Sequence, residues 1–276
     1  MAASSSKLSD KKRRIIDIHT HAFPDSLAQR AMAQLHSECD VKSYLDGTVG
    51  ALLRSMDEAG IEKSVLCCIA TKPTQFEPIL NWCIQIRSER IIPFPSVHPG
   101  DPQLPDKIQQ IADNGFIGVK IHPYYQNMVI DEPRYDLLYK SIIENNLILV
   151  LHTGYDIAFP REEKAGPRQI LRVLERFDEL KLITTHMGGW FQWEQVEEHL
   201  LGKPIYIETS VSFDYLGAER MAKMLEKHHP DYLLFGTDSP WDDQKKAVFN
   251  IEKLISNESL KQKIFYENSA RLLGVR

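Results

Sequence analysis

Short apolar runs recur along the chain, and longer segments with apolar residues at steps of three and four separate them. The runs are typical of strands because they span only a few residues, whereas the spacing between them is typical of amphipathic helices. Strands that alternate with helices predict repeated β-α units around a parallel sheet. The eight runs lie at residues 15–19, 64–69, 91–97, 117–121, 148–151, 182–185, 205–208 and 233–236.

The spacing of the runs predicts a single closed barrel. Their starts are roughly 23 to 50 residues apart, which leaves room for a helix and two loops each time. No linker rich in Pro, Gly or Ser divides the series. We therefore expect an α/β fold, a (β/α)8 TIM barrel that forms one domain over residues 14–276. The expected helices include residues 103–113, 134–145, 167–178 and 218–228.

Composition and charge exclude several classes of partner. Hydrophobic residues make up 43% of the 276 residues, and 33 basic against 38 acidic side chains give a net charge of −5. This balance offers no basic surface for nucleic acid, so we expect a small-molecule substrate. The polar opening, residues 1–13, is predicted to be a disordered tail, and no apolar segment behind it is long enough for a signal peptide or a membrane span.

The four cysteines lack C-x-x-C spacing; they are Cys39, Cys67, Cys68 and Cys83. Cys67 and Cys68 would face opposite sides of a strand. We expect reduced, partly buried thiols and hence a cytoplasmic protein.

Titratable residues stand at the carboxyl ends of the predicted strands. The motifs are D-I-H-T-H, S-V-H-P, K-I-H-P, L-H-T-G, T-H-M-G-G and G-T-D-S-P. In a parallel barrel these ends meet on one face, where barrel enzymes hold their catalytic groups. The residues are therefore expected to converge, although they span most of the sequence.

The first strand carries two histidines that are two positions apart. Alternate residues of a strand share a face, so Asp17, His19 and His21 are predicted to point the same way. Asp17 would then steady a ligand or the strand start. A histidine from the fifth strand and an aspartate from the eighth, which lies beside the first on closure, complete a site that suits a divalent ion. The predicted ligands are His19, His21, His152 and Asp238.

Each motif also has a plainer explanation when it is taken alone. Surface strands carry H-x-H pairs by chance, and aromatic residues near strand ends can simply pack against the barrel rim. His98 and His122 each precede a proline and could cap their strands through hydrogen bonds, the role that we favour for His98. These explanations do not account for four such motifs at the ends of runs one, five, six and eight, which together indicate a metal site.

On these motifs the sequence resembles the amidohydrolase superfamily, in the branch that includes hydrolases and enzymes of the aminocarboxymuconate semialdehyde decarboxylase type. The resemblance covers about residues 15 to 274. It implies a distorted (β/α)8 barrel with a divalent metal, usually zinc, held by the ligands named above. It also matches His186 to a strand-six histidine that acts as an acid or base, or polarises the substrate, in one-metal members and ligates metal in two-metal members.

Lys120 leaves the number of metals open. It has the same strand parity as His122, so both side chains could face the interior. Some superfamily members carboxylate a strand-four lysine to bridge two metals; a salt bridge to Glu208 or a substrate carboxylate would also satisfy a buried lysine. The resemblance to the one-metal branch favours one ion per chain, Zn²⁺ or another divalent metal such as Mn²⁺ or Fe²⁺.

We expect a metal-dependent hydrolase that cleaves an amide, lactone or ester bond of a small molecule. Metal-activated water would attack the bond, Asp238 would accept the proton of that water, and the metal or His186 would polarise the carbonyl. Expected substrate contacts are Lys120, His122 and Tyr155.

The alternative is a non-oxidative decarboxylase of a small aromatic or dienoic acid. A general acid would then protonate the carbon that loses carbon dioxide, and Lys120, Arg161 or Arg168 would bind the carboxylate. A binding protein that has lost catalysis is a third possibility, which the complete ligand set argues against. By analogy with the family we expect a homodimer.

Overall fold

The computed structural model describes residues 13–38 and 41–275, in which parallel strands alternate with helices. The strands are β1 (Ile16–Thr20), β2 (Lys63–Cys67), β3 (Ile91–Phe94), β4 (Gly118–Ile121), β5 (Ile148–Leu151), β6 (Lys181–Thr184), β7 (Tyr206–Glu208) and β8 (Leu233–Leu234). The helices are α1 (Asp25–Glu38), α2 (Val49–Ala59), α3 (Phe76–Ile86), α4 (Leu104–Asp113), α5 (Asp136–Glu144), α6 (Pro167–Arg176), α7 (Trp193–His199), α8 (Phe213–Leu216), α9 (Ala218–Lys227), α10 (Gln244–Leu254), α11 (Glu258–Gln262) and α12 (Asn268–Leu273). The predicted strands and helices are thus confirmed, with ends that differ by a few residues.

Backbone hydrogen bonds at two seams close the strands into a barrel. Parallel ladders join β1 to β3 and β4 to β8 in chain order. At the first seam, Lys120 N donates to Pro95 O over 2.9 Å. At the second, Ile18 N donates to Phe235 O over 2.9 Å. The chain therefore forms the predicted TIM barrel, and its first and last strands are neighbours.

The seam between β3 and β4 is short of backbone donors. Pro93 lies within β3 and Pro95 directly follows it, and a proline has no N–H to offer a neighbouring strand. β4 begins at Gly118, where an added Cβ would overlap the ring of Phe94. Glycine thus lets the aromatic ring of one strand lie directly against the backbone of the next.

We expect Gly118→Ala to lower the free energy of unfolding by about 1–3 kcal/mol, because the added methyl group displaces the Phe94 ring or the strand. Denaturant titration followed by circular dichroism measures the change. Gly50→Ala in α2 is the control, since the nearest atom to its added Cβ is a terminal Arg54 nitrogen at 3.5 Å. Alanine there should be neutral or stabilising. Equal stability of both variants would contradict the packing at this seam.

Apolar side chains form a core on both sides of the strands. An inner cluster combines residues of β1, β2, β3, β5, β6 and β8 with Tyr266, Ala270 and Leu273 from the last segment of the chain. A larger cluster packs the outer face of the strands against the helices. Cys67 belongs to the inner cluster and Cys68 to the outer one, as strand alternation predicts. The barrel interior is therefore filled, and the polar groups lie at its mouth.

Several sequence-based expectations fall at the edges of the described residues. The predicted tail lies outside them except for Arg13, which pairs with Glu252 at 2.6 Å and Glu258 at 2.7 Å. Cys39 also lies outside; Cys67, Cys68 and Cys83 are free, buried thiols. Within residues 13–38 and 41–275, every helix is too short or too polar to cross a membrane.

Candidate metal centre

The two histidines of the H-x-H motif meet at the end of β1. The register of β1 against β2 shifts between Asp17 and Thr20, so strict alternation ends there. The Nε2 atoms of His19 and His21 lie 3.1 Å apart. The motif therefore brings two imidazoles together at the mouth of the barrel.

Asp17 does not join these histidines. Its carboxylate accepts hydrogen bonds from Thr237 Oγ1 at 2.6 Å, Gln244 Nε2 at 2.8 Å and the backbone N of His19 at 3.2 Å. The prediction that Asp17 shares a face with both histidines is wrong, because the register shift turns them away from it. Burial raises the pKa of Asp17 to about 7. It steadies the start of β1 against the end of β8.

Asp238 completes a triad of ligand atoms. Its Oδ1 lies 3.2 Å from His19 Nε2 and 3.1 Å from His21 Nε2. Ligand atoms bonded at about 2.0–2.2 Å to one zinc ion lie about 3.0–3.6 Å from each other. The spacing thus fits one divalent ion, and Asp238 reaches it from a left-handed backbone conformation with φ 60° that few residues other than glycine adopt.

The Nδ1 atoms of His19 and His21 both have hydrogen-bond partners. The lone pairs on their Nε2 atoms therefore point into the triad. His21 Nδ1 donates to Cys67 O over 2.8 Å, and His19 Nδ1 lies 3.1 Å from Glu208 Oε1. Burial lowers the pKa of His19 well below its usual value, and a neutral imidazole carries one N–H. Two nitrogen lone pairs and a carboxylate oxygen therefore converge, and a donor set of this kind suits a divalent metal ion.

Glu208 is a buried partner of the site that sequence reasoning considered only as a contact of Lys120. Its Oε1 accepts from Ser210 Oγ at 2.7 Å and from His186 N at 2.9 Å. Burial raises its pKa to about 7. A side chain at Gly236 would collide with this carboxylate, so the glycine of G-T-D-S-P makes room for it. The sequence feature that could have indicated this role is the position of Glu208, an acidic residue at the end of the apolar I-Y-I-E run.

Lys120 lies beside the triad. Its Nζ is 3.0 Å from His19 Nε2, and the side chain is fully buried. Burial lowers its pKa from the usual value. Among the described residues it forms no salt bridge, so the alternative in which Glu208 pairs with it is not what the structure shows. A buried ammonium without an anionic partner thus borders the triad.

His152 lies at the end of β5, outside the triad. Its Nδ1 is 3.2 Å from His186 Nε2, and its Nε2 is 3.0 Å from the backbone oxygen of Tyr155. His186 Nδ1 in turn lies 2.9 Å from Ser210 Oγ. The structure thus brings together three of the four predicted ligands, and the role of His152 as the fourth stays a prediction.

The other predicted contacts surround His152 or lie elsewhere on the mouth. His122 stacks on His152 with ring centroids 4.1 Å apart. Asp156 was not predicted as a site residue, yet its Oδ2 lies 3.6 Å from His152 Nε2. The sequence feature that could have indicated it is an acidic residue four positions after a predicted ligand. His98 accepts a hydrogen bond from Gly100 N at 3.1 Å, in keeping with the capping role favoured above.

Aromatic rings line the mouth beyond these histidines. Trp190 packs 5.5 Å from His186 and 4.7 Å from Tyr215, measured between ring centroids. The guanidinium of Arg161 lies 5.7 Å from the Tyr155 ring and 5.3 Å from the Phe191 ring. The entrance therefore combines flat apolar surfaces with the exposed guanidinium of Arg161.

Solved structures share this fold at low sequence identity. A TIM-barrel protein from Bordetella bronchiseptica is 20% identical with a TM-score of 0.74, covering 95% of this chain and 98% of its own. A 5-carboxyvanillate decarboxylase from Sphingomonas paucimobilis is 15% identical with a TM-score of 0.73, covering 95% and 99%. A 5-carboxyvanillate decarboxylase from Novosphingobium aromaticivorans, complexed with manganese and a nitrobenzoic acid, is 15% identical with a TM-score of 0.69, covering 96% and 97%.

Comparison at the level of sequence gives the family. No curated protein matches the chain significantly. A family model described as amidohydrolase matches residues 16–275, which include every strand and the whole mouth of the barrel. This chain belongs to the amidohydrolase family.

Proposed function

We propose that this enzyme is a metal-dependent, non-oxidative decarboxylase of a small aromatic or dienoic acid. The observation that carries the proposal is the buried ammonium of Lys120, 3.0 Å from a nitrogen of the triad and without a carboxylate partner among the described residues. Such a group is costly to bury unless an anion meets it. A substrate carboxylate bound beside the metal would supply that anion.

Two further observations support this choice over hydrolysis. The solved structures of similar fold include decarboxylases of a carboxylated phenol, one of them with manganese. The rings of Trp190 and Tyr215 at the mouth suit a flat substrate. We therefore propose Mn²⁺ or Zn²⁺ at the triad, since imidazole and carboxylate ligands accept both.

The other cations considered for the carboxylate are less suited to this role. Arg168 lies on α6, and its Nε donates to His199 Nε2 over 3.0 Å on the exposed surface. Arg161 lies over aromatic rings at the rim. Lys120 alone of the three contacts an atom of the triad.

Each residue at the mouth of the barrel has its own role in the proposed decarboxylation. A divalent ion at the triad would supply Lewis acidity that stabilises negative charge on a substrate oxygen. Lys120 holds the carboxylate before the carbon–carbon bond breaks. The electron pair of that bond stays on the substrate carbon and carbon dioxide leaves. This carbon takes up a proton that Asp238 would accept from solvent water and pass on.

Hydrolysis of an amide, lactone or ester bond is the second candidate. The observation that favours it is a second pair of ring nitrogens at ligand spacing, His152 Nδ1 and His186 Nε2, 3.2 Å apart. With a carboxylated Lys120, this pair would suit a two-metal site. Asp238 would then accept the proton of the attacking water.

Carbon dioxide release tests the proposal. Metal-loaded protein incubated with hydroxybenzoic and dienoic acids should release carbon dioxide, and Lys120→Met should lower kcat/KM by about 10²-fold because the carboxylate loses its counter-charge. Lys164→Met is the control; Lys164 is bound to Asn127 Oδ1 on the outer loop, and its loss should change kcat/KM by less than about threefold. Turnover of lactones or amides without carbon dioxide release would refute decarboxylation and favour the second candidate.

A further inference from the structure

The residues that follow β6 form a turn with an unusual backbone. Three consecutive residues have positive φ angles: His186 at 56°, Met187 at 54° and Gly188 at 86°. We call them the left-handed turn. This conformation is unfavourable for a residue with a side chain, and here two such residues adopt it in succession. Backbone strain of this kind persists only where surrounding contacts fix it, and it is concentrated at functional sites.

Two buried side chains hold the peptide groups on either side of the His186 ring. The N–H of His186 donates to Glu208 Oε1 over 2.9 Å, and its carbonyl oxygen accepts from the indole Nε1 of Trp193 over 3.0 Å. Trp193 is only 5% exposed and Glu208 is fully buried. The direction in which the His186 side chain leaves the backbone therefore depends on these two contacts.

Helix α7 also packs closely against the left-handed turn. The helix begins at Trp193, and Val196 lies three residues later on the same face. A Cβ added at Gly188 would lie 3.0 Å from Val196 Cγ1, so only glycine allows this approach without displacing a neighbour. The side chain of Met187 is fully buried in the outer core cluster. These contacts leave the turn little room for another conformation.

The turn presents the imidazole of His186 to groups from two other segments of the barrel. Its Nδ1 lies 2.9 Å from Ser210 Oγ, which follows β7, and its Nε2 lies 3.2 Å from His152 Nδ1, which follows β5. Both distances are near the limit at which a hydrogen bond weakens steeply. A small shift of the His186 backbone would therefore break one of these contacts.

We propose that Trp193 is a positioning residue, whose indole N–H fixes the left-handed turn and thereby the ring of His186. Glu208 holds the other side of the same peptide, but its Oε1 also lies 3.1 Å from His19 Nδ1. Trp193 is thus the contact that can be removed without disturbing the triad. The inference rests on the proposed function only because turnover is one of its measures, and it applies equally to decarboxylation and hydrolysis.

Trp193→Phe tests the proposal, because it keeps an aromatic ring and removes the N–H. We expect kcat to fall about tenfold while KM stays within about twofold, since misplacing a reacting group slows turnover without weakening substrate binding. Metal content should not change. Trp82→Phe is the control; Trp82 lies on α3, partly buried against the outer core cluster, and its kcat should stay within about twofold.

A rise in KM at unchanged kcat would refute positioning. The rings of Trp193 and Trp190 lie 5.6 Å apart, so Trp193 would then act by supporting the aromatic surface for the substrate. A double-mutant cycle with His186→Ala separates positioning from a general structural role. In that background Trp193→Phe should lower kcat by less than about twofold, because no imidazole remains to be positioned. A further tenfold loss would also refute the proposal.

Gly188→Ala disturbs the same turn from the side of Val196 and tests the proposal even if Trp193→Phe does not fold. It should lower kcat at least about tenfold with metal content retained. Gly202→Ala is the matched control, since Gly202 has a similar φ of 82° and the nearest atom to its added Cβ is 3.9 Å away. Equal kcat in the two variants would contradict a role of the turn in turnover.

A crystal structure of Trp193→Phe distinguishes this inference from the proposed function, because it requires no substrate. The distance between His186 Nδ1 and Ser210 Oγ, 2.9 Å here, should exceed about 3.5 Å in the variant. An unchanged ring would refute positioning even if the enzyme is a decarboxylase. A displaced ring in an enzyme that releases no carbon dioxide would support positioning and refute the proposed function.

Discussion

Asp238→Asn should turn over substrate at least about 10²-fold more slowly than the parent enzyme, the loss expected when a positioned proton-transfer group is removed. Asparagine keeps the size of the side chain and an oxygen that can approach the ion, but it has no negative charge and cannot carry the proton. Because no core side chain changes, the melting temperature with metal supplied should stay close to that of the parent. Steady-state kinetics and thermal unfolding measure the two effects.

Asp242→Asn is the matched control for this variant. Asp242 lies four residues further along the same loop, its pKa is raised to about 6 by burial, and its Oδ1 accepts from Asp243 N at 2.8 Å. Asparagine can keep that hydrogen bond, so turnover should fall less than about threefold. Near-parental turnover by metal-loaded Asp238→Asn would show that this carboxylate does not move the proton.

His186→Ala should leave the triad ion in place and lower turnover by about 10²- to 10⁴-fold. The three ligand atoms belong to His19, His21 and Asp238, so metal content should fall little. The variant removes the ring that connects Ser210 to His152 at the floor of the mouth. Turnover and metal content, measured on the same preparation, test both statements.

His228→Ala is the control for the loss of a buried imidazole. His228 is 2% exposed, and its Nε2 lies 2.9 Å from Ile205 O, remote from the mouth. This variant should lose stability but keep the turnover of the folded protein. Loss of the triad ion from His186→Ala would mean that His186 is itself a ligand.

The strands and their order were predictable because each is marked locally. Four-residue apolar runs such as Ile148–Leu151 are buried on both faces and therefore lack the alternation of a half-exposed strand. Proline and glycine next to several runs mark where strands end. The convergence of His19 and Asp238 also followed from topology, since barrel closure makes the first and last strands neighbours.

The partners within the site were less predictable, because they depend on register and loop conformation. A single inserted residue in β1 separates Asp17 from the histidines, and no sequence signal distinguishes it from an ordinary strand. Ser210 contacts His186 only because the segment after β7 folds back, and the segment after β5 turns Asp156 toward His122. Contacts of this kind require coordinates.

The triad takes its ligand atoms from the first and the last strand of the barrel: His19 lies in β1 and His21 directly follows it, and Asp238 follows β8. An ion held there would bind only a chain in which the first and last strands have already met. It would therefore favour the native over the denatured ensemble, by about 2.7 kcal/mol when the free ion is at a hundred times its Kd. The supply of metal would thus govern how long the polypeptide survives proteolysis, in addition to how fast it works.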